Sequence, residues 1–180
     1  AVLHELVEQT GLSVKLDEAA LPISPAVRGA SELLGLDPLY IANEDAGTAS
    51  IVDLETGKII ATIPVGLEPE GVRLSPDGTT VYVASETDHV VTALDAGTGQ
   101  VIRRVAVDRR PRDLAFAPDG RRYYVTAELG GTVSAVDAAT GTVLTVIKLA
   151  AGARPMGVAV SPDGRRVYVA TGRGGTVEVI

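Results

Sequence analysis

Aspartate is the residue type whose spacing first suggests chemistry in this chain of 180 residues. Asp77, Asp119 and Asp163 recur at intervals of 42 and 44 residues, and Asp53, Asp95 and Asp137 recur at 42. Carboxylates repeated in this way could hold a ring of metal ions. Their neighbours argue for a different role. The first set lies in Pro-Asp-Gly, and the second opens DLETGK, DAGTGQ and DAATGT. In such sequences proline presets φ, aspartate accepts hydrogen bonds from turn amides, and glycine takes a positive φ. The spacing also assigns the carboxylates to separate repeats, so turn formation is the expectation and metal binding is not.

The other reactive residue types are sparse. His4 and His89 are the only imidazoles, and neither stands in a ligand pattern. The chain has no cysteine, which excludes disulfides, thiolate metal sites and cysteine nucleophiles. Gly130-Gly131 and Gly172-Arg173-Gly174-Gly175 do not link a strand to a helix, so a phosphate loop is disfavoured. Arg103, Arg104, Arg109, Arg110 and Arg112 form a basic run. No aromatics interleave it for base stacking, and the chain is acidic overall at a net charge of −7, which disfavours nucleic acid. With no catalytic constellation in view, the expectation is a non-enzymatic module with no cofactor and no metal.

The repeat that carries the aspartates is longer than the turns. Ser75–Glu86 (SPDGTTVYVASE) returns as Ala117–Glu128 (APDGRRYYVTAE) and Ser161–Gly172 (SPDGRRVYVATG). Tyr40, Tyr82, Tyr124 and Tyr168 keep the period, as do Pro69, Pro111 and Pro155. A period near 42 made of several short β-branched runs predicts a propeller blade of four strands, A to D. In the unit 69–106 these are Val72–Ser75, Thr80–Ser85, Val90–Asp95 and Val101–Val105. Pro-Asp-Gly closes the A–B hairpin and Thr-Gly the C–D hairpin.

SPDG, then YVA(S/T), then V(D)xxTGxV resembles the YVTN family of bacterial β-propeller repeats over roughly Leu39 to Ile180. That resemblance implies four-stranded antiparallel blades around an axis, and a periplasmic or extracellular setting. The predicted class is mainly β: a partial propeller of about 3.5 blades and 14 strands, with a short α-helical segment before it. The blades divide as 39–64 (partial, lacking strand A), 69–106, 111–148 and 155–180 (partial, lacking strand D). Propellers normally close with about 4–8 blades. Unpaired edges invite pairing with other chains. A homodimer completing the ring, an arc capped by the N-terminal helices, or a piece of a larger propeller are the expected resolutions.

Residues 1–38 read differently. Val2, Leu3, Leu6 and Val7 have helical spacing, and Ser24-Pro25 opens a second helix that carries Val27, Ala30 and Leu34. LPISPAVRGASELLGLDPLYIANE, within residues 1–44, is similar to the C-terminal domain of hydrogenase expression/formation maturation factors of the carbamoyl-dehydratase type. That resemblance implies a cytoplasmic setting and, in complete family members, an upstream ATP-binding domain and a C-terminal thiol. Leu39–Glu44 (LYIANE) fits both families, so a chimeric chain spliced there is an expectation. A quinone-dependent dehydrogenase propeller is a further reading, but such cofactor pockets usually use tryptophan, which this chain lacks.

Comparison of the repeats with one another locates a candidate binding face. The A–B and C–D turns are nearly constant. The B–C and D–A turns vary, and both lie at the other end of each sheet. Variable turns on one face are where binding concentrates. That face carries Glu44, Asp45, Glu68, Glu86, Asp88, His89, Asp108, Arg109, Arg110, Glu128, Arg154 and Arg173. It would receive a protein or small-molecule partner. Residues 1–100 hold 4 Lys/Arg against 16 Asp/Glu, and residues 101–180 hold 12 against 7. Electrostatic pairing between the halves is one consequence of that asymmetry. No apolar run is long enough to span a membrane, and no signal-peptide pattern opens at Ala1.

Overall fold

A computed structural model describes residues 39–54 and 56–180. Fourteen strands form four antiparallel sheets of three, four, four and three strands, each in simple meander order. The first blade is β1 (Leu39–Asn43), β2 (Thr48–Val52) and β3 (Ile59–Pro64). The second is β4 (Pro69–Leu74), β5 (Thr80–Ser85), β6 (Val90–Asp95) and β7 (Val101–Ala106). The third is β8 (Pro111–Phe116), β9 (Arg122–Ala127), β10 (Thr132–Asp137) and β11 (Val143–Lys148). The fourth is β12 (Val158–Val160), β13 (Val167–Ala170) and β14 (Val177–Val179), with a short 3-10 turn at Gly172–Gly174. The strand count and the partial first and last blades agree with the sequence reading. The helices expected within residues 1–38 lie outside the described residues.

Period-2 alternation gives each strand of the second and third blades one face toward each neighbouring blade. Val81 and Val83 of β5 face the first blade, where they pack with Ala49 and Val65. Tyr82 and Ala84 face the third blade, where they pack with Leu114, Tyr123 and Val125. The third interface repeats the pattern, with Val133 and Leu149 against Val158, Val167 and Val169. The core is therefore three apolar layers between sheets rather than one centre. Tyr82, Phe116 and Tyr123 meet at centroid separations of 4.9–5.6 Å in tilted and edge-on contacts, the arrangement that ring quadrupoles favour.

The turn aspartates behave as their sequence context requires. Asp95 Oδ1 accepts from the Thr98 amide (2.8 Å), the Thr98 hydroxyl (2.9 Å) and the Gly97 amide (3.0 Å). Asp137 holds Thr140 in the same way, and Asp53 holds Thr56. In the A–B turns, Asp77 and Asp163 each accept from the serine two residues earlier, at 2.6 Å. The third such turn has Ala117 in that place, and Asp119 accepts from the Arg121 amide alone at 3.0 Å.

These bonds favour the carboxylate. The Ser75 hydroxyl, then the Thr79 amide, holds Asp77 below its ordinary pKa. The Thr98 amide and hydroxyl do the same for Asp95, and those of Thr140 for Asp137. A depressed folded-state pKa contributes stability that is present above the unfolded value and lost as pH falls through the folded one. The unfolding temperature is therefore expected to decline as pH drops below about 4. Carboxyl NMR titration of Ser75→Ala should show the Asp77 midpoint moving up. An unmoved midpoint would remove this account of the turn.

Candidate functional site

The variable-turn end is organised by a backbone irregularity that recurs in the second and third blades. In β4 the register runs from Pro69↔Ser85 to Val72↔Val83, so β4 carries one residue more than β5. In β8 it runs from Pro111↔Ala127 to Leu114↔Val125. These are bulges, which bend a strand and re-aim side chains. Proline at the strand start supplies no amide to the ladder and so tolerates the defect. The bulged pairs are Glu70-Gly71 and Arg112-Asp113, and three of these four residues carry charge.

Glu86, at the end of β5, is the centre of a charged cluster. Its side chain is only 3% exposed and contacts both Arg110 and Arg112. Arg110 also lies 3.3 Å from Glu128, and Arg112 lies 3.2 Å from Glu70 and 3.9 Å from Glu128. Arg154 reaches Glu128 at 3.4 Å. Glu86 and Glu128 stand just past the ends of the B strands, Glu70 in the bulge of β4, and the arginines on the D–A turns and the bulge of the following blade, so the cluster bridges blades two, three and four. Glu70 and Glu86 of the acidic first half thus pair with Arg110 and Arg112 of the basic second half within one molecule.

Strain gathers at the same end. Among the described residues, the non-glycine residues at positive φ are Glu68 (51°), His89 (57°) and Arg110 (62°). All three lie on B–C or D–A turns. Glycine occupies the His89 position in the other three blades, as Gly47, Gly131 and Gly175, with φ of 64–66°. A side chain in that conformation costs roughly 1–2 kcal/mol, and such outliers cluster at functional sites. His89 Nδ1 lies 2.7 Å from the Glu86 carbonyl, to which it donates when protonated, or else accepts from the Arg110 amide at 3.3 Å.

A second polar group lies on the other side of the Arg112 bulge. Asp113, 8% exposed, pairs with Arg73 at 2.9 Å. It also accepts from the Leu114 amide at 2.8 Å and the Val158 amide at 3.4 Å. Its equivalents in blades two and four are Gly71 and Gly157. A Cβ on Gly71 would meet the Arg112 carbonyl at 2.7 Å, so glycine at that place makes room for the charged bulge beside it.

Of the residues placed on the candidate face from sequence, Glu86, Arg110, Glu128 and Arg154 come together. Glu44, Asp45 and Arg173 are exposed and stand outside the cluster. Asp88 caps the neighbouring turn by accepting from the Leu67 amide (3.0 Å), and Arg109 donates to the Leu129 carbonyl (3.1 Å). Arg112, Glu70, Arg73 and Asp113 belong to the site but lie on strands, where turn variability could not reveal them. A usable signal was the change from Pro-Glu-Gly to Pro-Arg-Asp to Pro-Met-Gly at the start of successive A strands.

At the opposite end, a cleft of about 690 Å³ opens between the second and third blades, lined by Pro76, Asp77, Tyr82, Phe116, Pro118 and Asp137 among others. Its size does not outweigh the chemistry of the charged end, because Asp77 and Asp137 are already engaged in their own turns. No group of three or more His, Asp or Glu side chains able to hold a metal occurs among the described residues. No helix among them is long and apolar enough to cross a membrane.

Comparison with known proteins brings in two kinds of relative. In sequence, the chain is 44% identical over 69 residues to the carbamoyl dehydratase HypE of Cupriavidus necator, covering 37% of this chain and 20% of that protein. It is 41% identical over 87 residues to HypE of Escherichia coli (strain K12), covering 42% of this chain and 26% of that protein. The chain thus spans only a fifth to a quarter of the length of these relatives. In structure, it is similar to Kuenenia stuttgartiensis hydrazine synthase, with a TM-score of 0.69 and 23% identity over 95% of this chain and 52% of that one. It is also similar to the dihydro-heme d1 dehydrogenase NirN in complex with DHE, with a TM-score of 0.67 and 28% identity over 75% of this chain and 30% of that one.

These findings correct the expectation of a non-enzymatic module. The propeller relatives are enzymes by name, the HypE relatives are carbamoyl dehydratases, and the family model that fits the repeats carries the name of an enzyme. The model described as "Lactonase, 7-bladed beta-propeller" matches residues 72–174, more than half of the chain, and the chain belongs to that family.

Proposed function

We propose that this chain supplies part of a lactone-hydrolysing propeller and that its B–C and D–A turns form the ligand-facing end. The observation that carries the reading is the buried Glu86 carboxylate between Arg110 and Arg112, beside three residues in strained backbone. Hydrolysis of a cyclic ester needs donors for the carbonyl oxygen as it gains charge, and a base for the attacking water. The Arg110 side chain is 41% exposed, the most open guanidinium in the cluster, and supplies the donor. Glu128, which Arg110 and Arg154 both hold, supplies the base. The variable turns around them select the substrate.

His89→Gly tests the reading. It puts into the second blade the residue found in the other three, so folding stability is expected to hold or rise by up to about 1 kcal/mol. Hydrolysis of a panel of γ- and δ-lactones, followed by acid release, is expected to fall at least tenfold, and Arg110→Ala should abolish it. Wild-type chain that neither hydrolyses nor binds any lactone, or variants that match wild type, would overturn the assignment.

A second reading rests on the HypE relatives: the chain joins a segment of hydrogenase-maturation type to propeller blades. A sequencing read of the source DNA across the codons for residues 39–44 tests it. A parent gene that encodes a complete maturation factor through this point would rule out a natural junction there.

A further inference from the structure

Three departures of blade three from the repeat gather at the cleft of about 690 Å³ between blades two and three. Phe116 stands where blades two and four carry Leu74 and Val160, and Tyr123, its partner across β8 and β9, where they carry Val81 and Val167. With Tyr82 of blade two these rings form the aromatic layer described above, and Tyr82 and Phe116 line the cleft. Ala117 replaces Ser75 and Ser161. Asp119 therefore lacks the serine hydroxyl that Asp77 and Asp163 accept, and keeps the Arg121 amide alone. Valine and leucine close the equivalent layers, so packing does not require the rings. Tyr123 even carries a penalty, because its fully buried hydroxyl has no hydrogen-bond partner. The Tyr82 phenol and the Arg103 guanidinium both act on it electrostatically, which sets this orphan at the corner of the cleft where Tyr82 donates to the Ala138 carbonyl.

The charge of the cleft is negative. Asp77, Asp119 and Asp137 line it, against Arg121 as the one cation of the lining. Arg103, behind the aromatic layer, is held by the Ala139 carbonyl. The hydrogen bonds of all three aspartates fall on Oδ1, so Oδ2 is the oxygen left for a ligand. The carboxylates belong to two A–B turns and one C–D turn, a spread that suits a diffuse organic cation better than a metal ion. We propose that this cleft binds an organic cation with an apolar body, of the arylalkyl-ammonium class. The body lies against Tyr82 and Phe116, between Pro76 and Pro118, where ring faces attract a cation. Asp119, the aspartate with fewest donors of its own, takes the largest share of the charge. The site stands at the opposite end of the sheets from the Glu86 cluster and is independent of the lactone reading.

Phe116 is the one phenylalanine of the chain, so phenylalanine labelling gives a single NMR ring signal at the site. Titration with phenethylammonium is expected to move that signal to saturation. The neutral analogue phenylethanol should bind about tenfold more weakly, and phenylacetate more weakly still. Asp119→Asn should weaken the ammonium about threefold, and Arg121→Ala should tighten it about twofold, since one removes an attracting charge and the other a repelling one. Both residues are exposed on a turn, so these variants do not depend on a change in the core. Phe116→Leu, which installs the blade-two residue, should weaken binding about fivefold, read by calorimetry because the ring signal is lost. A Phe116 signal that none of the three compounds moves would overturn the proposal. So would phenylethanol or phenylacetate binding as tightly as the ammonium, or an Arg121→Ala variant that binds the ammonium more weakly than wild type.

Discussion

Arg112→Ala is expected to lower folding stability by about 3 kcal/mol, because removing one partner of a buried ion pair leaves the other charge uncompensated. Glu86 is 3% exposed, and Arg112 also reaches Glu70 at 3.2 Å, so the deletion strips a positive charge from between two carboxylates. For a chain of this size, the unfolding temperature should fall by roughly 6–12 °C. Arg110 alone cannot compensate, since it is divided between Glu86 and Glu128 and is the more exposed of the two arginines. Glu86→Gln combined with Arg112→Ala should recover a large part of the loss, giving a coupling of about 1.5 kcal/mol or more in a double-mutant cycle. Urea unfolding of the four proteins measures it. Additive losses would mean that Glu86 and Arg112 are neighbours without being partners.

Arg73→Ala should cost about 2 kcal/mol by the same mechanism. The cost is smaller because Asp113 keeps two backbone donors, the amides of Leu114 and Val158. The Val158 amide belongs to blade four and Arg73 to blade two, so Asp113 ties three blades at their innermost strands. Asp113→Asn, which keeps the shape and the amide contacts, should cost less than Asp113→Ala. Hydrogen exchange should show the effect first at β12, a strand of only three residues. If β12 amides exchange no faster in Asp113→Ala, the link between the blades is not made through this carboxylate.

Much of the architecture was legible because every local signal repeats and so checks itself. Thr80–Ser85 and Val90–Asp95 are strands with the expected bounds, since alternation, β-branching and turn aspartates all point to the same hairpin. The A strands were less legible. β4 begins at Pro69, three residues before the alternation starts, because the bulge breaks the period that a sequence reading relies on. The site was legible only where it lies on turns. Glu86, Arg110, Glu128 and Arg154 stood out because the turns vary. Arg112 and Asp113 did not, because strand residues beside a proline carry no turn signal.

The amino-acid order alone determined the blade period, the chemistry of the turns, the number of strands and the end of the sheets on which variation gathers. Each of these depends on residues of one strand, one turn or one hairpin, where local propensity and hairpin pairing act, repeated at a period near 42. The tertiary structure decided which charges meet. Glu86 and Arg112 are 26 residues apart and Asp113 and Arg73 are 40 apart, on different blades. Their encounter depends on the packing of one sheet on the next and on a bulge that turns a strand residue toward the end of the sheet. The backbone strain at His89 likewise appears only in three dimensions, where one imidazole stands in a turn built three other times with glycine.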